Sequence, residues 1–337
     1  MNTKELRLLG ILNWEEISDK YDKVNLLLGN GFSVNIAEQF NYTSLFQKFI
    51  ENAEKEFSIL FNQFGTSNFE IIQEHLKHSS TVNKIFNLET EKINEALDRL
   101  KNGLIKTINE VHPRFKDVDV LQIDRLTNQF IEKFNDIFSL NYDMFLYHMI
   151  MRSVDLRREG KNKVAYQDYF WGNANGETQD FMSFQNFDYY KHVYYLHGAL
   201  CLFKNDLVDY KILRKPGTEL IEVIENKIRK DKFPLFVSEG TSPDKLKAIA
   251  RSNYLSFCLR KLKRDNNPLL IYGTSLAPND KHIVNAIQST KRDLIISIYI
   301  GEKTEANLNR EISVFKEMFD EKCSSLRFVN SNTIFDY

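Results

Sequence analysis

The stretch VNLLLGNGFS at residues 24–33 decides the fold, because an uncharged apolar run ends there in two closely spaced glycines. Residues 24–29 predict a strand that is buried on both faces, as the strands of parallel sheets are. Residues 36 to about 53 repeat apolar positions at helical spacing and predict the crossover helix. A strand, a glycine loop and a helix in this order are the context in which a backbone approaches a nucleotide phosphate.

The first candidate binding site is the loop between this strand and the helix. Its residues are Gly29, Asn30, Gly31, Phe32 and Ser33. Gly29 would allow the tight turn, and Gly31 would let the backbone approach a phosphate. Val34 stands where the dinucleotide-binding pattern has its third glycine. An ordinary strand-to-helix turn is therefore the alternative interpretation.

Three more apolar runs break into small or polar residues: SLNYD at 139–143, YLHG at 195–198 and IYGTSL at 271–276. Such breaks at the carboxyl ends of strands are where an open α/β sheet gathers a ligand site. The candidate residues at the three breaks are Asn141, Asp143, His197, Gly273, Thr274 and Ser275. Together with the glycine loop they predict one nucleotide pocket.

The side chains at these breaks have both chemical and structural interpretations. Asn141 and Asp143 can hydrogen-bond ribose hydroxyls or orient a carboxamide. The alternative for Asp143 is that its carboxylate caps the helix that follows. His197 suits a general base near neutral pH, because the ordinary pKa of histidine is ~6.5. A structural hydrogen bond is its alternative role. The other six histidines are interpreted as surface or structural residues, and Asp280 as a helix cap.

The remaining pattern predicts an α/β fold, with a Rossmann-like, mostly parallel sheet and helices on both faces. Strands are also predicted within 134–143, 193–200, 231–240, 268–276, 293–301 and 326–337. Further helices are predicted at 5–22, 245–264, 279–290 and 309–323. Residues 54–133 predict an insertion of three to five helices, which could cover the pocket, form an assembly surface or simply complete the fold.

The domain organisation follows from these segments. Residues 151–190 are polar and aromatic and predict a loop insertion, with a turn-rich stretch at NANGETQDF. Residues 1–53 and 134–337 would form one Rossmann-like nucleotide-binding domain that contains this loop. Residues 54–133 would form a helical subdomain.

The composition excludes several classes of function. The net charge of −1 over 337 residues gives no basic excess for a general nucleic-acid-binding face. Cys201, Cys258 and Cys323 form no C-x-x-C pair, and no H-x-x-x-H or mixed Cys/His cluster is present, so no metal site is predicted. No signal peptide and no stretch of ~20 apolar residues is found, and we expect a cytoplasmic protein.

Taken in order, the motifs GNGFS, SLNYD, LHG and GTSL resemble those of the sirtuin-like superfamily. The nearest resemblance is to bacterial sirtuin-like proteins of antiviral defence, which consume NAD. The resemblance implies that Asn141 and His197 are the catalytic pair. It also implies that Gly29, Asn30, Gly31 and Ser33 contact the phosphates and adjoining ribose, with Asp143 as the acidic residue after the catalytic asparagine. Gly273 and Ser275 match the loop beside the adenosine ribose, and the hydroxyls of Thr274 and Ser275 would bond a phosphate or ribose.

Two departures from the family shape the expected reaction. Asn30 stands where the family usually has alanine, and the chain lacks the four cysteines of the zinc module found in lysine deacylases. The resemblance therefore implies hydrolysis of NAD, as substrate, to nicotinamide and ADP-ribose or a cyclised form. The alternatives are a non-catalytic sensor or scaffold for NAD or ADP-ribose and, less favoured, an NAD-dependent deacylase. Expected partners are further copies of the chain, a HerA-type ATPase or an Argonaute.

Overall fold

A computed structural model describes residues 1–37, 45–112, 114, 117, 119–172, 178–183, 190–213, 218–237 and 240–335. Its strands are β1 (Ile11–Leu12), β2 (Asn25–Leu28), β3 (Ile137–Ser139), β4 (Ala165–Gln167), β5 (Phe170–Gly172), β6 (Thr178–Phe181), β7 (Tyr190–Tyr195), β8 (Gly198–Lys204), β9 (Asp209–Ile212), β10 (Pro234–Phe236), β11 (Leu269–Tyr272), β12 (Asp293–Ile298) and β13 (Ser325–Asn330). Eight of them form a parallel sheet in the order β1-β13-β12-β11-β2-β3-β7-β4. The α/β class and the mostly parallel sheet are thereby confirmed.

The strand order reverses at β2, in the middle of the parallel sheet. Leu26 of β2 pairs with Ile137 of β3 on one side and with Leu270 of β11 on the other. From β2 the chain builds the sheet outward through β3 and β7, and it later returns to β11 and builds outward the other way. Open α/β sheets bind ligands beyond the carboxyl ends of their strands at such a reversal.

Helices flank the parallel sheet. They are α1 (Thr3–Leu8), α2 (Asn30–Ile36), α3 (Leu45–Asn52), α4 (Lys55–Gln63), α5 (Phe69–Ile85), α6 (Glu91–Val111), α7 (Val120–Lys133), α8 (Phe145–Arg158), α9 (Leu220–Arg229), α10 (Ser242–Ala250), α11 (Asn253–Arg264), α12 (Lys281–Ile287) and α13 (Glu305–Phe319). None of these described helices is both long and apolar enough to cross a bilayer.

The segment predicted as a helical insertion is helical, and its described residues form α4, α5, α6 and α7. Edge-to-face contacts among Phe49, Phe61 and Phe69 pack α3, α4 and α5 together. Helix α6 also packs on α9, and α7 packs on α8. The inserted helices therefore share one hydrophobic core with the parallel sheet.

A second, antiparallel sheet was not predicted. Its strands follow the order β10-β8-β9-β6-β5. The prediction of a loop over 151–190 was wrong, because the described residues there include the end of α8 and strands β4, β5 and β6. These strands are short and gain their partners from far along the chain, as Thr178 does from Ile212. The NANGE part of the predicted turn, 173–177, lies outside the described residues.

Three predicted helices have different bounds. The helix predicted at 5–22 ends at Leu8, because Gly10 has a φ of +79° and β1 pairs with β13. Helix α2 begins at Asn30, before the predicted start of the crossover helix at position 36, and it ends at Ile36. Helix α3, Leu45–Asn52, lies within the predicted range of 36 to about 53, and residues 38–44 lie outside the described part. The helix predicted at 245–264 is broken near Ser252, whose Oγ accepts a hydrogen bond from the Leu255 amide and so caps α11.

Candidate functional site

The glycine loop after β2 packs directly on the loop after β11. The amide of Gly29 donates to the carbonyl of Tyr272 at 2.8 Å, and the amide of Gly31 donates to the carbonyl of Gly273 at 2.8 Å. A Cβ atom on Gly273 would lie 2.8 Å from the amide nitrogen of Phe32, and Gly273 has a φ of +70°. The glycines therefore allow the two loops to touch, and the Gly31 amide is already bonded within the protein.

Beside this contact, the side chain of Phe32 is buried and that of Asn30 is exposed. The ring of Phe32 is 1% exposed and stacks on Phe130 with centroids 5.3 Å apart, so the side chain belongs to the core. Asn30 is exposed at the start of α2. The Phe32 amide donates to the carbonyl of Gly29 at 3.1 Å. The expectation that both residues contact a nucleotide remains a prediction.

A cavity of about 470 Å³ lies at the reversal of strand order. Its lining includes four predicted residues, Gly31, Gly273, Thr274 and Ser275. Sequence reasoning missed the others that matter chemically, which are Ser297, Tyr299, Glu311 and Ser331. The available signal for Ser297, Tyr299 and Ser331 was that they lie at or just after the carboxyl ends of β12 and β13, the next two strands beyond β11. Glu311 lies on α13, and no strand end indicated it. Cavities of this size hold small molecules in many proteins.

Asn141 joins the loop after β3 to the glycine loop. Its side-chain amide donates from Nδ2 to the carbonyl of Gly29 and to Oγ of Ser33, both at 3.0 Å. Because a carbonyl only accepts hydrogen bonds, the contact with Gly29 fixes which end of the amide points there. Within the described part of the chain, Oδ1 of Asn141 receives no hydrogen bond.

Asp143 continues the same chain of hydrogen bonds. Oγ of Ser33 donates to Oδ2 of Asp143, and the Phe145 amide donates to Oδ1 at 2.9 Å. Asp143 therefore does bond the first turn of α8, which was one of its two predicted roles. Burial raises the pKa of its carboxyl group, while the bonds from Ser33 and the Phe145 amide act in the opposite direction.

His197 follows β7 and is buried, with 4% of its surface exposed. Its Nε2 lies 2.9 Å from Nε2 of His282, and the two rings are stacked. Burial lowers the pKa of His197 well below its usual value, and the charges of Lys245 and His282 act in the same direction. Burial also lowers the pKa of His282 to about 4. His282, interpreted from the sequence as surface or structural, is therefore the buried hydrogen-bond partner of His197.

Asp280 is the N-cap residue of α12, as predicted, but its carboxylate makes no capping hydrogen bond there. Its Oδ1 accepts a hydrogen bond from Nζ of Lys245 at 2.8 Å and lies 3.9 Å from Nε2 of His197. Lys245 comes from α10, so the cluster combines residues that the sequence keeps far apart.

The arrangement of His197, Asp280 and His282 also bears on metal binding. One ligand atom from each lies within 4.8 Å of the others, a spacing that a metal ion could bridge. The buried ammonium of Lys245 already neutralises Asp280. A divalent cation would add unpaired positive charge in a buried place, which is costly. The geometry thus offers the ligands, and the local charge disfavours the ion.

The predicted single pocket is not seen in this conformation, because the lining residues of the cavity of about 470 Å³ include Gly31, Gly273, Thr274 and Ser275 but neither Asn141 nor His197. The other predicted side chains form two further groups at neighbouring strand ends. Ser33, Asn141 and Asp143 are joined by hydrogen bonds, and His197 leaves the adjacent strand with its own buried partners. Strands β3 and β7 pair directly, with Ser139 opposite Tyr195, so Asn141 and His197 both lie two residues beyond this pair. Both side chains are buried in this conformation.

A second cavity, of about 540 Å³, adjoins the backbone that carries His197. It lies between the inserted helices and β10, and Phe46, Phe61, Phe236 and Val237 are among its lining residues. The Val237 amide donates to the carbonyl of His197 at 2.8 Å. No motif in the sequence indicated this cavity.

Comparison with known proteins gives the chain a family. No curated protein matches it in sequence. A family described as a domain of unknown function, DUF4917, matches residues 26–334, which include every candidate residue named above. Because the match covers most of the chain, this protein belongs to the DUF4917 family.

Proposed function

We propose that this protein is an NAD glycohydrolase, which cleaves the bond between nicotinamide and ribose and releases nicotinamide and ADP-ribose or a cyclised form. Four candidate loops leave the neighbouring strands β11, β2, β3 and β7 at one edge of the parallel sheet. This edge is where α/β proteins bind nucleotides. The order of the motifs in these loops resembles that of sirtuin-like proteins that consume NAD.

The reaction needs orientation more than acid help. The nicotinamide of NAD is a cationic pyridinium, so it leaves with the electron pair of the C1′–N bond and becomes neutral. The site must then stabilise a ribosyl centre with oxocarbenium character. In hydrolysis, a water oxygen bonds to C1′ and gives up one proton, which His197 would accept as a general base.

The orientation of Asn141 is the single observation that carries the proposal. Both hydrogens of its amide are used by Gly29 and Ser33, so its carbonyl oxygen is held in one direction. That oxygen would accept a hydrogen bond from a ribose hydroxyl or from the attacking water. The cavity beside Gly273 and Ser275 would take the adenosine end, with the hydroxyls of Ser297 and Ser331 and the carboxylate of Glu311 as polar partners.

The direct test is to incubate NAD with the purified protein, with and without phage-derived extract, and to separate the products by chromatography. We expect nicotinamide and linear or cyclic ADP-ribose to form. Asn141→Ala and His197→Ala should each lower turnover by ~10²–10⁴, the usual contribution of a positioned general base or its equivalent. His112→Leu is the matched control, because it removes a buried histidine outside the site.

Thermal melting of each variant checks that it is folded before its rate is compared. Full-rate consumption of NAD by both Asn141→Ala and His197→Ala would contradict the proposed catalytic roles.

A second candidate function is a nucleotide sensor that binds NAD or ADP-ribose without turnover. The burial of Asn141 and His197 favours it, because the side-chain amide nitrogen of Asn141 and Nε2 of His197 already have structural partners. Calorimetry that detects NAD binding while chromatography finds no nicotinamide, even with an activating partner present, would support the sensor over the enzyme.

The proposed enzyme would act in the cytoplasm in antiphage defence. Cys201 and Cys258 are free and buried, which fits a reducing compartment. Uncontrolled loss of NAD would kill the host cell, so the activity needs gating. Further copies of the chain, a HerA-type ATPase or an Argonaute are the proposed partners, and any of them would have to expose the buried His197.

A further inference from the structure

We propose that His282 positions His197 by accepting the hydrogen on Nε2 of His197, which leaves Nδ1 of His197 as the basic nitrogen. The inference deepens the proposed NAD hydrolysis and rests on it for the catalytic role of His197. The hydrogen bond between the two rings is a separate claim, and it can be tested without NAD.

The argument begins at Ser242, which fixes the ring of His282. The backbone amide of His282 donates to Oγ of Ser242 at 2.8 Å, and Nδ1 of the same residue lies 3.2 Å from that oxygen. A hydroxyl oxygen has two lone pairs, so it can accept from both nitrogens. Oγ can also donate to Nδ1, so this contact orients the ring and leaves two tautomers of His282 open. The carboxylate of Asp280, whose Oδ1 lies 3.9 Å from Nε2 of His197, favours a hydrogen on that nitrogen. We therefore assign the hydrogen of His282 to Nδ1, which turns the lone pair of its Nε2 toward His197.

The short distance between the two rings then sets the state of His197. Two neutral imidazole nitrogens 2.9 Å apart need one donor and one acceptor. Because Nε2 of His282 accepts, Nε2 of His197 carries the hydrogen and Nδ1 keeps a free lone pair. In many active sites a third residue orients the base that activates the nucleophile. Here His282 would orient His197, which would activate the water.

The charged groups around the pair support a base that is neutral at rest. Among the residues that the structure describes, Lys245 on α10 and Asp280 before α12 are the charged side chains that face the two rings. Lys245 disfavours a positive charge on His197 before the reaction. Asp280, whose Oδ1 lies 3.9 Å from Nε2 of His197, would stabilise the imidazolium formed when Nδ1 takes the proton from water. Lys245 holds that carboxylate in place.

The experiment is nuclear magnetic resonance of the full-length protein labelled with ¹⁵N-histidine, because the ring nitrogen shifts report which nitrogen carries the hydrogen. We expect His197 to be neutral and protonated on Nε2 at a pH of about 6, where an exposed histidine is largely charged. His282→Leu should leave a mixture of the two tautomers. His282→Gln should restore the wild-type state, because its side-chain carbonyl can accept the same hydrogen.

Turnover of NAD gives the second readout. His282→Leu should lower kcat about 10- to 100-fold, a part of the ~10²–10⁴ expected for the base itself. His282→Gln should recover most of that loss, and His112→Leu should change neither the tautomer nor kcat. Ser242→Ala keeps both histidine rings, so it tests the same series of hydrogen bonds if His282→Leu fails to fold. It should release the fixed tautomer of His282.

A hydrogen on Nδ1 of wild-type His197, or a tautomer unchanged by both His282→Leu and Ser242→Ala, would overturn the inference. If the wild-type protein consumes no NAD, the proposed function fails, while the ring shifts still decide whether His282 fixes His197.

Discussion

Gly29, Gly31 and Gly273 hold two loops of the site in contact through their backbones. An added Cβ on Gly31 would lie 2.8 Å from Cα of Gly273, and one on Gly273 would lie 2.8 Å from the Phe32 amide nitrogen. Real Cβ atoms do not come this close to backbone atoms. Any side chain at these positions must push the β2 loop away from the β11 loop.

Gly273→Ala should therefore lower the free energy of unfolding by about 2–4 kcal/mol, since overpacking and a left-handed alanine each carry a cost. Urea denaturation of the wild type and the variant measures the difference.

Gly160→Ala is the matched control for this prediction. Gly160 has a φ of +71° but no atom within 4 Å of its added Cβ, so only the backbone cost of about 1–2 kcal/mol applies. An equal loss of unfolding free energy in the two variants would show that the close approach of the loops at Gly273 adds nothing to the cost of the substitution.

The sequence predicted the loop residues of the site better than their partners. Asn141, Asp143, His197 and Gly273 were found because each follows a recognisable apolar strand. His282 lies 85 residues from His197 and 40 residues from Ser242, and neither separation forms a pattern. Tertiary packing alone brings these side chains together, so spacing could not predict the cluster.

At the scale of elements, a buried ion pair connects the two sheets. Asp168 lies between β4 of the parallel sheet and β5 of the antiparallel sheet, and Lys211 lies on β9. Nζ of Lys211 lies 2.9 and 2.7 Å from the two carboxylate oxygens of Asp168, and both side chains are almost fully buried. Both charged groups are therefore shielded from solvent.

Asp168→Asn should destabilise the protein by about 3–5 kcal/mol, because it leaves the Lys211 ammonium buried without its counter-charge. The double variant Asp168→Asn with Lys211→Met should lose less than the single one, since no charge is left unpaired. Urea denaturation of the wild type, the two single variants and the double variant measures this coupling. If the stability loss of the double variant equals the sum of the losses of the two single variants, the predicted coupling between Asp168 and Lys211 is contradicted.

Elements differed in how far the sequence could predict them. Helices such as α5 and α6 have one apolar face over many residues, so periodicity predicted them. Strands of three or four residues, such as β5 and β6, have too few positions for a pattern. They form because the antiparallel sheet supplies their partners, which is a property of the fold and not of the local sequence.

For the whole molecule, buried histidines link stability to pH. Burial lowers the pKa of His112 to about 3, with the charge of His148 acting in the same direction. Below about pH 6.5, His112 binds a proton in the unfolded chain but stays neutral in the folded protein. The free energy of unfolding therefore falls as the pH falls toward the folded pKa. The raised pKa values of Asp143 and Glu70 have the opposite effect on stability, because these carboxyl groups bind protons more readily in the folded protein than in the unfolded chain.

A comparison of the wild type with His112→Leu isolates one histidine. Between pH 6 and about 4, His112 should account for up to ~1.4 kcal/mol of lost stability per pH unit. The variant should therefore lose stability less steeply across this range in urea titrations. Parallel curves for the two proteins would mean that the folded protein protonates His112 at its ordinary pKa.

The two neighbours of β2 have a consequence for protein synthesis. Leu26 leaves the ribosome early, Ile137 follows much later, and Leu270 follows last of the three. Until Leu269–Tyr272 emerge, the nascent chain has no Gly273 loop to set against the glycines after β2. A fragment released by premature termination before that point would lack the Gly273 wall of the cavity of about 470 Å³, so it could not form this cavity.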